Sequence, residues 1–281
     1  MPASQVVLVT GASSGIGRAT VDRLAARGYR VFASARREES VRELAKAGRD
    51  KGFEAVRLDV EDDASTDRAM AEINDRAGSV DVLVNNAGYG LIAPTEAVTP
   101  EALRAQFETN VIGAHRMVRA VLPGMRARKR GTIVQLSSVM GRVVFPLYGA
   151  YSASKFALEA MSDALRIEVA AFGIRVVLVE PGPIRTEFSN TVHRLSTPAL
   201  DDDRARPYAS IIAKMTRARE QSRNAGGLGP DAVAIVIERA IASRAPAPRY
   251  AVTALAKLAP HFKDVLPDRL FDGILRRYFA R

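Results

Sequence analysis

The sequence predicts an α/β fold, a doubly wound parallel sheet with helices on both faces and a polar flap after the sixth strand. Three observations carry this. Short apolar runs such as Val6–Val9 are continuous rather than alternating, as in parallel strands covered on both faces. They alternate with longer stretches of helical periodicity. That alternation stops after residue 180, where the chain turns polar.

Each element follows from local pattern. Val6–Val9 is the first strand, and a helix from Gly15 to about Arg27 places Ile16, Ala19, Thr20 and Leu24 on one side. Arg30–Ala35 is the second strand, followed by a helix Glu38–Gly48 that the glycine closes. Ala55–Leu58, a helix Asp63–Ala77 and Val80–Val84 come next. Pro100 opens a long helix to about Arg128, with Thr99 as its N-cap. Thr132–Leu136 is the fifth strand. A helix Tyr151–Phe172 ends at Gly173, and the sixth strand Arg175–Val179 is stopped by Pro181-Gly-Pro. The flap, 187–230, carries one helical stretch, Ala209–Arg223. Asp231–Ser243 is a helix, Tyr250–Thr253 a short strand, and 254–281 a tail of two short helices around Pro260 and Pro267. The whole chain, 1–281, reads as a single domain without repeat or linker.

Composition excludes several functions. Hydrophobic residues make up 47%, enough for a substantial core, and there is no cysteine, so disulfides and thiolate chemistry are absent. His115, His193 and His261 stand far apart without ligand spacing, and no metal site is expected. The net charge of +10 comes from lysines and arginines spread along the chain. The densest run, Arg126–Arg130, has no interleaved aromatics, so nucleic acid is not the expected partner. No apolar run reaches the roughly 18 residues of a membrane span, and the N-terminus has no basic leader. A cytoplasmic protein is the expectation.

Thr10-Gly-Ala-Ser-Ser-Gly-Ile-Gly17 lies between a strand and a helix, the context of a phosphate-binding turn in a Rossmann fold. Gly11, Gly15 and Gly17 permit a tight turn, close approach of backbone to pyrophosphate and close helix–strand packing. Ser13, Ser14 and Ile16 complete the turn, and the helix N-terminus points free N–H groups at the phosphates. The spacing is G-x-x-x-G-x-G rather than the common G-x-G-x-x-G. The second strand ends Ala33-Ser-Ala-Arg-Arg37 with no carboxylate to hold a ribose 2′-hydroxyl. Arg36 and Arg37, helped by Arg18, instead suit a 2′-phosphate, and so NADP(H).

Tyr151-Ser-Ala-Ser-Lys155 places a phenol and an ammonium one turn apart on a helix face. A fixed lysine charge is expected to favour the phenolate and bring the tyrosine into the range where it exchanges a proton near neutral pH. Tyr148 has Ser152 at the same offset, so only Tyr151 has a lysine partner.

Together with Asn85-Asn-Ala-Gly88, Asn110, Ser138 thirteen residues before Tyr151, and Pro181-Gly-Pro-Ile-Arg-Thr186, these motifs make the chain resemble the short-chain dehydrogenase/reductase family over roughly residues 5–190. The resemblance implies a tetrad of Asn110, Ser138, Tyr151 and Lys155. Ser138 would hold the substrate oxygen and Tyr151 would protonate it on reduction. Lys155 would also bind the nicotinamide ribose, and Asn110 would anchor a water linking Lys155 to solvent. Neighbouring Ser137 competes with Ser138 on type alone, and the family spacing selects Ser138. Asp59, with Val60, would contact the adenine. Asn86, Ala87 and Gly88 would approach the ribose, while Asn85-Asn-Ala-Gly88 stabilises the sheet. Pro181, Gly182, Ile184 and Thr186 would line the nicotinamide end. The resemblance also implies a homodimer or homotetramer through helices 100–128 and 151–172.

Within the family the chain is similar to a branch akin to 17β-hydroxysteroid and retinol dehydrogenases, on Tyr29-Arg-Val-Phe-Ala-Ser-Ala-Arg36, Asn86-Ala-Gly-Tyr-Gly90 and Tyr151-Ser-Ala-Ser-Lys-Phe-Ala-Leu-Glu159. This implies an apolar alcohol, ketone or aldehyde substrate. Its pocket is expected from Gly90–Pro94, Met140–Leu147 and a flap hinged near Gly182 and Gly226–Gly229. An NAD-preferring alcohol dehydrogenase and a non-catalytic NADPH sensor are the alternative readings. The tail Phe271–Arg281 reads either as a monotopic membrane helix or as a cover for the sheet edge or a subunit contact.

Overall fold

A computed structural model describes residues 5–224 and 227–279. Seven strands form one parallel sheet: β1 Val6–Val9, β2 Arg30–Ala35, β3 Phe53–Arg57, β4 Val82–Asn85, β5 Gly131–Leu136, β6 Ile174–Glu180 and β7 Arg249–Ala251. Their order is β3-β2-β1-β4-β5-β6-β7. The order reverses between β1 and β4, and in such sheets the crevice at the strands' C-terminal ends beside that point is where ligands bind.

The apolar strand runs feed two cores, as period-2 geometry requires. Leu8, Phe32, Leu83, Ile133 and Val176 face one way, against α3 (Asp63–Ala77) and α5 (Ala114–Ala127). Val7, Val9, Val31, Val84, Val134 and Val179 face the other, against α1 (Gly15–Ala26), α2 (Glu38–Lys51) and α9 (Pro230–Ala242). Helices on both faces bury the central strands β1, β4 and β5 completely, so the continuous apolar runs were the correct signal there.

Four differences from the sequence expectation have physical causes. Gly48 lies inside α2 rather than closing it. A Cβ there would sit 2.2 Å from the Phe53 carbonyl oxygen, so this glycine lets helix and strand approach, and Gly52, at φ 75°, makes the cap. The long helix from Pro100 is interrupted. α4 (Pro100–Phe107) passes through a π-turn, Glu108–Gly113, into α5. Thr99 caps α4 as expected, accepting from the Ala102 N–H at 3.2 Å. The helix expected over 151–172 is α6, Gly149–Glu168, continued by a 3₁₀ turn to Gly173. The flap carries α7 (Phe188–Leu200) as well as α8 (Ala209–Asn224). The Ser, Asn and Thr residues of α7 have weak intrinsic helix preference, and packing of Val192, Ser196 and Ala199 supplies what propensity lacks. Gly226, one of the expected hinge residues, lies outside the described residues.

In the tail, α10 (Ala254–Val265) contains Pro260 internally and α11 (Asp268–Phe279) follows Pro267. α10 packs on β7 and on the turn Val139–Gly141, while α11 meets α8. No helix among the described residues is long and apolar enough to cross a membrane.

Candidate active site

A cavity of about 580 Å³ opens at the C-terminal ends of the strands, beside the switch point. Gly11, Ser13, Ser14, Gly15 and Ile16 line its floor, Arg36, Asp59 and Val60 one end, and Asn86, Ala87 and Gly88 its wall. Ser138, Tyr151, Lys155, Pro181, Ile184 and Thr186 line the other end. Segments that follow six strands, β1 to β6, thus converge on one cleft.

The glycine turn is shaped for close contact. Gly11 and Gly15 have φ of 64° and 57°, and a Cβ on Gly11 would sit 2.9 Å from Ala87 Cα. Gly17 does not line the cavity. It packs against Asn86, whose side-chain amide donates to the Thr10 and Gly11 carbonyl oxygens at 2.8 and 2.9 Å. Thr10 Oγ1 accepts from the Asn86 and Ala87 N–H groups, both at 3.0 Å. Asn85 serves the sheet side, its amide donating to the Ala114 carbonyl oxygen at 2.9 Å, where the π-turn ends.

The Arg36 side chain is 63% exposed, with Nε 3.9 Å from Asp59 and Nη1 3.8 Å from Glu61. Arg37 faces elsewhere, into a smaller cavity of about 370 Å³ that Ser13, Ser14 and the flap residue Arg194 share. Arg36 thus lines the main cavity and Arg37 the smaller one that adjoins it. Gly182 also lies outside the main cavity; a Cβ on it would meet Thr253 Oγ1 at 2.1 Å.

At the opposite end, α6 presents Tyr151 and Lys155. Burial pushes the Tyr151 phenol up to about 12; the Ser138 hydroxyl beside it acts in the opposite direction and nearby Tyr148 adds to the rise. Burial brings Lys155 down to about 8 against the pull of Glu159. Lys155 Nζ donates to the Leu136 carbonyl oxygen at 2.7 Å. The lysine charge was expected to lower the Tyr151 pKa; in this structure burial of the phenol raises it, and the same burial brings Lys155 down.

Ser138 rather than Ser137 is the serine beside Tyr151. Its hydroxyl caps the following turn, accepting from the Met140 N–H at 3.1 Å. The Ser137 hydroxyl turns toward Gly141, whose added Cβ would lie 2.8 Å from it. Asn110 sits 1% exposed in the π-turn, behind the cavity wall. Its amide donates to the Tyr89 carbonyl oxygen and Ser154 Oγ at 2.9 and 3.0 Å, and its Oδ1 accepts from the Tyr89 N–H. A Cβ on Gly88 would press to 2.9 Å of Asn110 Oδ1 and 3.9 Å of Lys155 Nζ, which is why that wall needs a glycine.

The expected substrate wall is different. Neither Gly90–Pro94 nor Met140–Leu147 lines the cavity. Val143 is buried against Ala256 of α10, and the Phe145 ring meets Phe279 at 6.2 Å, so this segment seats the tail. The third expected wall, the flap, does line it, through α7. Phe188, Thr191, Arg194 and Leu195 line the cavity, with the Phe188 ring 6.0 Å from that of Tyr151. α7 is held down by Ser196 Oγ, which accepts from the Ile92 N–H at 2.9 Å, and by Val192 over Gly90. The flap was expected to help line the pocket and does so through α7, a helix that its polar residues, without a clear helical stripe, did not reveal. Leu58, Glu61, Tyr89 and Thr109 were missed because they merely flank the motif positions.

The donor set fits a dinucleotide: a glycine cradle at a helix N-terminus, a cation at one end and a Ser–Tyr–Lys group at the other. Comparison agrees with this geometry. Residues 5–195 match the short chain dehydrogenase family model. The chain is 37% identical over 271 residues to the uncharacterized oxidoreductase YbbO of Escherichia coli, covering 96% of this chain and 93% of that one. It is 34% identical to the NADPH-dependent 3-dehydrocapnine reductase of Ornithobacterium rhinotracheale, covering 95% and 94%. Identity to human 17-beta-hydroxysteroid dehydrogenase type 1 is 34%, covering 89% and 78%, in keeping with the expected branch. A short-chain dehydrogenase structure from Streptomyces avermitilis superposes with a TM-score of 0.76 at 35% identity, covering 98% and 97%. The chain belongs to the short-chain dehydrogenase/reductase family and is an oxidoreductase of that family that binds NAD(P).

Proposed function

We propose that this chain is an NADP(H)-dependent oxidoreductase that interconverts an apolar alcohol with its ketone or aldehyde. The observation that carries the reading is the convergence of Ser138, Tyr151 and Lys155 in one cavity with Arg36 at its far end. Bound there, the dinucleotide supplies a nicotinamide ring that carries hydride. Ser138 then orients the substrate oxygen by hydrogen bonding, and Tyr151 Oη holds the proton that passes to that oxygen on reduction. Lys155 stands behind Tyr151 as the cation that stabilises a phenolate. Asn110 holds the Tyr89 backbone and Ser154 in place beside them. Arg36 provides the guanidinium for a 2′-phosphate. Phe188, Leu195 and Ile184 make the covering surface apolar, which suits a lipid-, steroid- or retinoid-like substrate. The relative named as an NADPH-dependent reductase supports the cofactor choice.

The test is a fluorescence titration with NADPH and NADH on the wild type and on Arg36→Asp. NADPH binding is expected to be tighter in the wild type and to weaken about tenfold to a hundredfold in the variant, with NADH unaffected. Equal affinity for both would favour NAD-linked alcohol oxidation instead. Binding of neither would remove the enzyme reading.

A further inference from the structure

The face of α6 that carries Tyr151 and Lys155 continues at the same four-residue step through Glu159 and Asp163. Both carboxylates meet Arg249 of β7. Its Nε lies 3.1 Å from Glu159 Oε2, and its Nη2 donates to Asp163 at 2.5 Å. The same Nε is 3.2 Å from Oε1 of Glu180, the last residue of β6 before Pro181. Arg142, four residues after Ser138, reaches Glu180 at 3.7 Å and Asp264 of α10 at 3.8 Å. Glu159 and Glu180 are 5% and 3% exposed.

We propose that Arg249, with Glu159 and Glu180, is a positioning device. It holds α6 at the rotation and height that set Tyr151 and Lys155 beside Ser138, and it ties that helix to the strand ending at Pro181. Only the kinetic part of its test rests on the oxidoreductase reading.

Three features favour positioning over general stability. First, a buried ionic cluster is a poor source of stability, because desolvation offsets most of the attraction and an apolar set would pack as well. Second, the cluster joins the segments that supply the candidate chemistry. Glu159 is one turn from Lys155, Glu180 adjoins Pro181, and Pro181's carbonyl oxygen accepts from Ser138 Oγ at 3.4 Å and from the Val139 N–H at 2.9 Å. Third, the charges facing this space interlock: Lys155, Glu159, Asp163 and Arg166 from α6, Glu180 from β6, Arg249 from β7, Arg142 from the turn after Ser138, and Asp264 from α10. Burial raises Glu159, and it raises Glu180 to about 7 with Glu159 adding to the effect. The Arg249 guanidinium hydrogen-bonds two carboxylates of α6, Glu159 and Asp163, and sits 3.2 Å from Glu180 of β6 as an ion pair. Two charge-assisted bonds to residues one turn apart on α6 make it a register pin for that helix.

The experiment uses the full chain as wild type, Arg249→Leu, Arg249→Lys and Glu159→Gln. Hydrogen exchange of the segment 149–158 is compared with that of β4 and β5, and kcat, KM and NADPH affinity are measured with NADPH and 2-decanone. In Arg249→Leu the segment is expected to exchange about tenfold faster while β4 and β5 stay protected. Its kcat is expected to fall about tenfold or more with NADPH affinity within about twofold. Arg249→Lys, which keeps one charge, should recover part of both effects. If Arg249→Leu does not fold, Glu159→Gln is expected to show the same local loosening. Unchanged exchange over 149–158 in the folded variants, or loosening spread evenly over the sheet, overturns the proposal. A wild type that reduces no ketone counts against the oxidoreductase reading, and the exchange comparison still decides the cluster.

Discussion

Lys155 Nζ lies 5.9 Å from the centroid of the Tyr151 ring while donating to the Leu136 carbonyl oxygen at 2.7 Å. The ammonium is thus anchored to the end of β5, not to the phenol, and acts on Tyr151 through space. On this geometry Tyr151→Phe is expected to lower kcat by about a hundredfold to ten-thousandfold and leave NADPH affinity nearly unchanged, since the ring and its packing on Phe188 remain. Steady-state kinetics beside a fluorescence titration checks this. A variant that keeps wild-type turnover would remove Tyr151 from its role.

The close packing behind the glycine turn leads to a second expectation. A Cβ on Gly17 would lie 2.4 Å from Asn86 Nδ2 and 2.5 Å from the Gly11 carbonyl oxygen. Gly17→Ala should cost about 1–3 kcal/mol of stability and loosen the Asn86 bonds that hold the turn. Chemical denaturation measures the first effect and NADPH titration the second. Wild-type values in both would show that the turn yields freely.

Glu180 gives a pH dependence of definite sign. Its folded pKa is raised from 4.5 to about 7, so the folded state binds this proton more tightly than the unfolded chain. Its contribution is most favourable below about pH 4.5 and is lost as pH rises toward about 7. Lys155, lowered from 10.5 to about 8, titrates above that window. The melting temperature of Glu180→Gln should therefore fall less steeply than that of the wild type between pH 5 and 7. Parallel profiles would mean Glu180 titrates normally.

The flap supplies a fourth expectation. Arg194 on α7 is exposed and lines both the main cavity and its smaller neighbour. NADPH is expected to slow tryptic cleavage after Arg194 severalfold, because ligand in the cleft would hold α7 down. Equal cleavage with and without NADPH would separate the flap from cofactor binding.

Much of the site was legible because its chemistry is local. The turn Thr10–Gly17 and the pair Tyr151–Lys155 each need a short run of defined residue types, and such runs show in one dimension. Of the expected substrate cover, only the flap was legible. Val143 and Phe145 are as apolar as any pocket lining, yet they bury against Ala256 and Phe279 more than a hundred residues later. No periodicity records which of two apolar surfaces a loop will choose. The π-turn that seats Asn110 was hidden for a similar reason, since helical spacing alone does not show where an extra residue enters.

By itself the sequence determined the strand and helix alternation and the glycine turn between β1 and α1, because backbone conformation and residue type act within a few positions. Only the tertiary structure decided that Arg36 rather than Arg37 faces the cleft, that α7 covers it, and that Arg249 joins Glu159 to Glu180 across two strands. It also reversed the expected shift of Tyr151, since desolvation depends on everything packed around a group and not on its nearest charged neighbour in sequence.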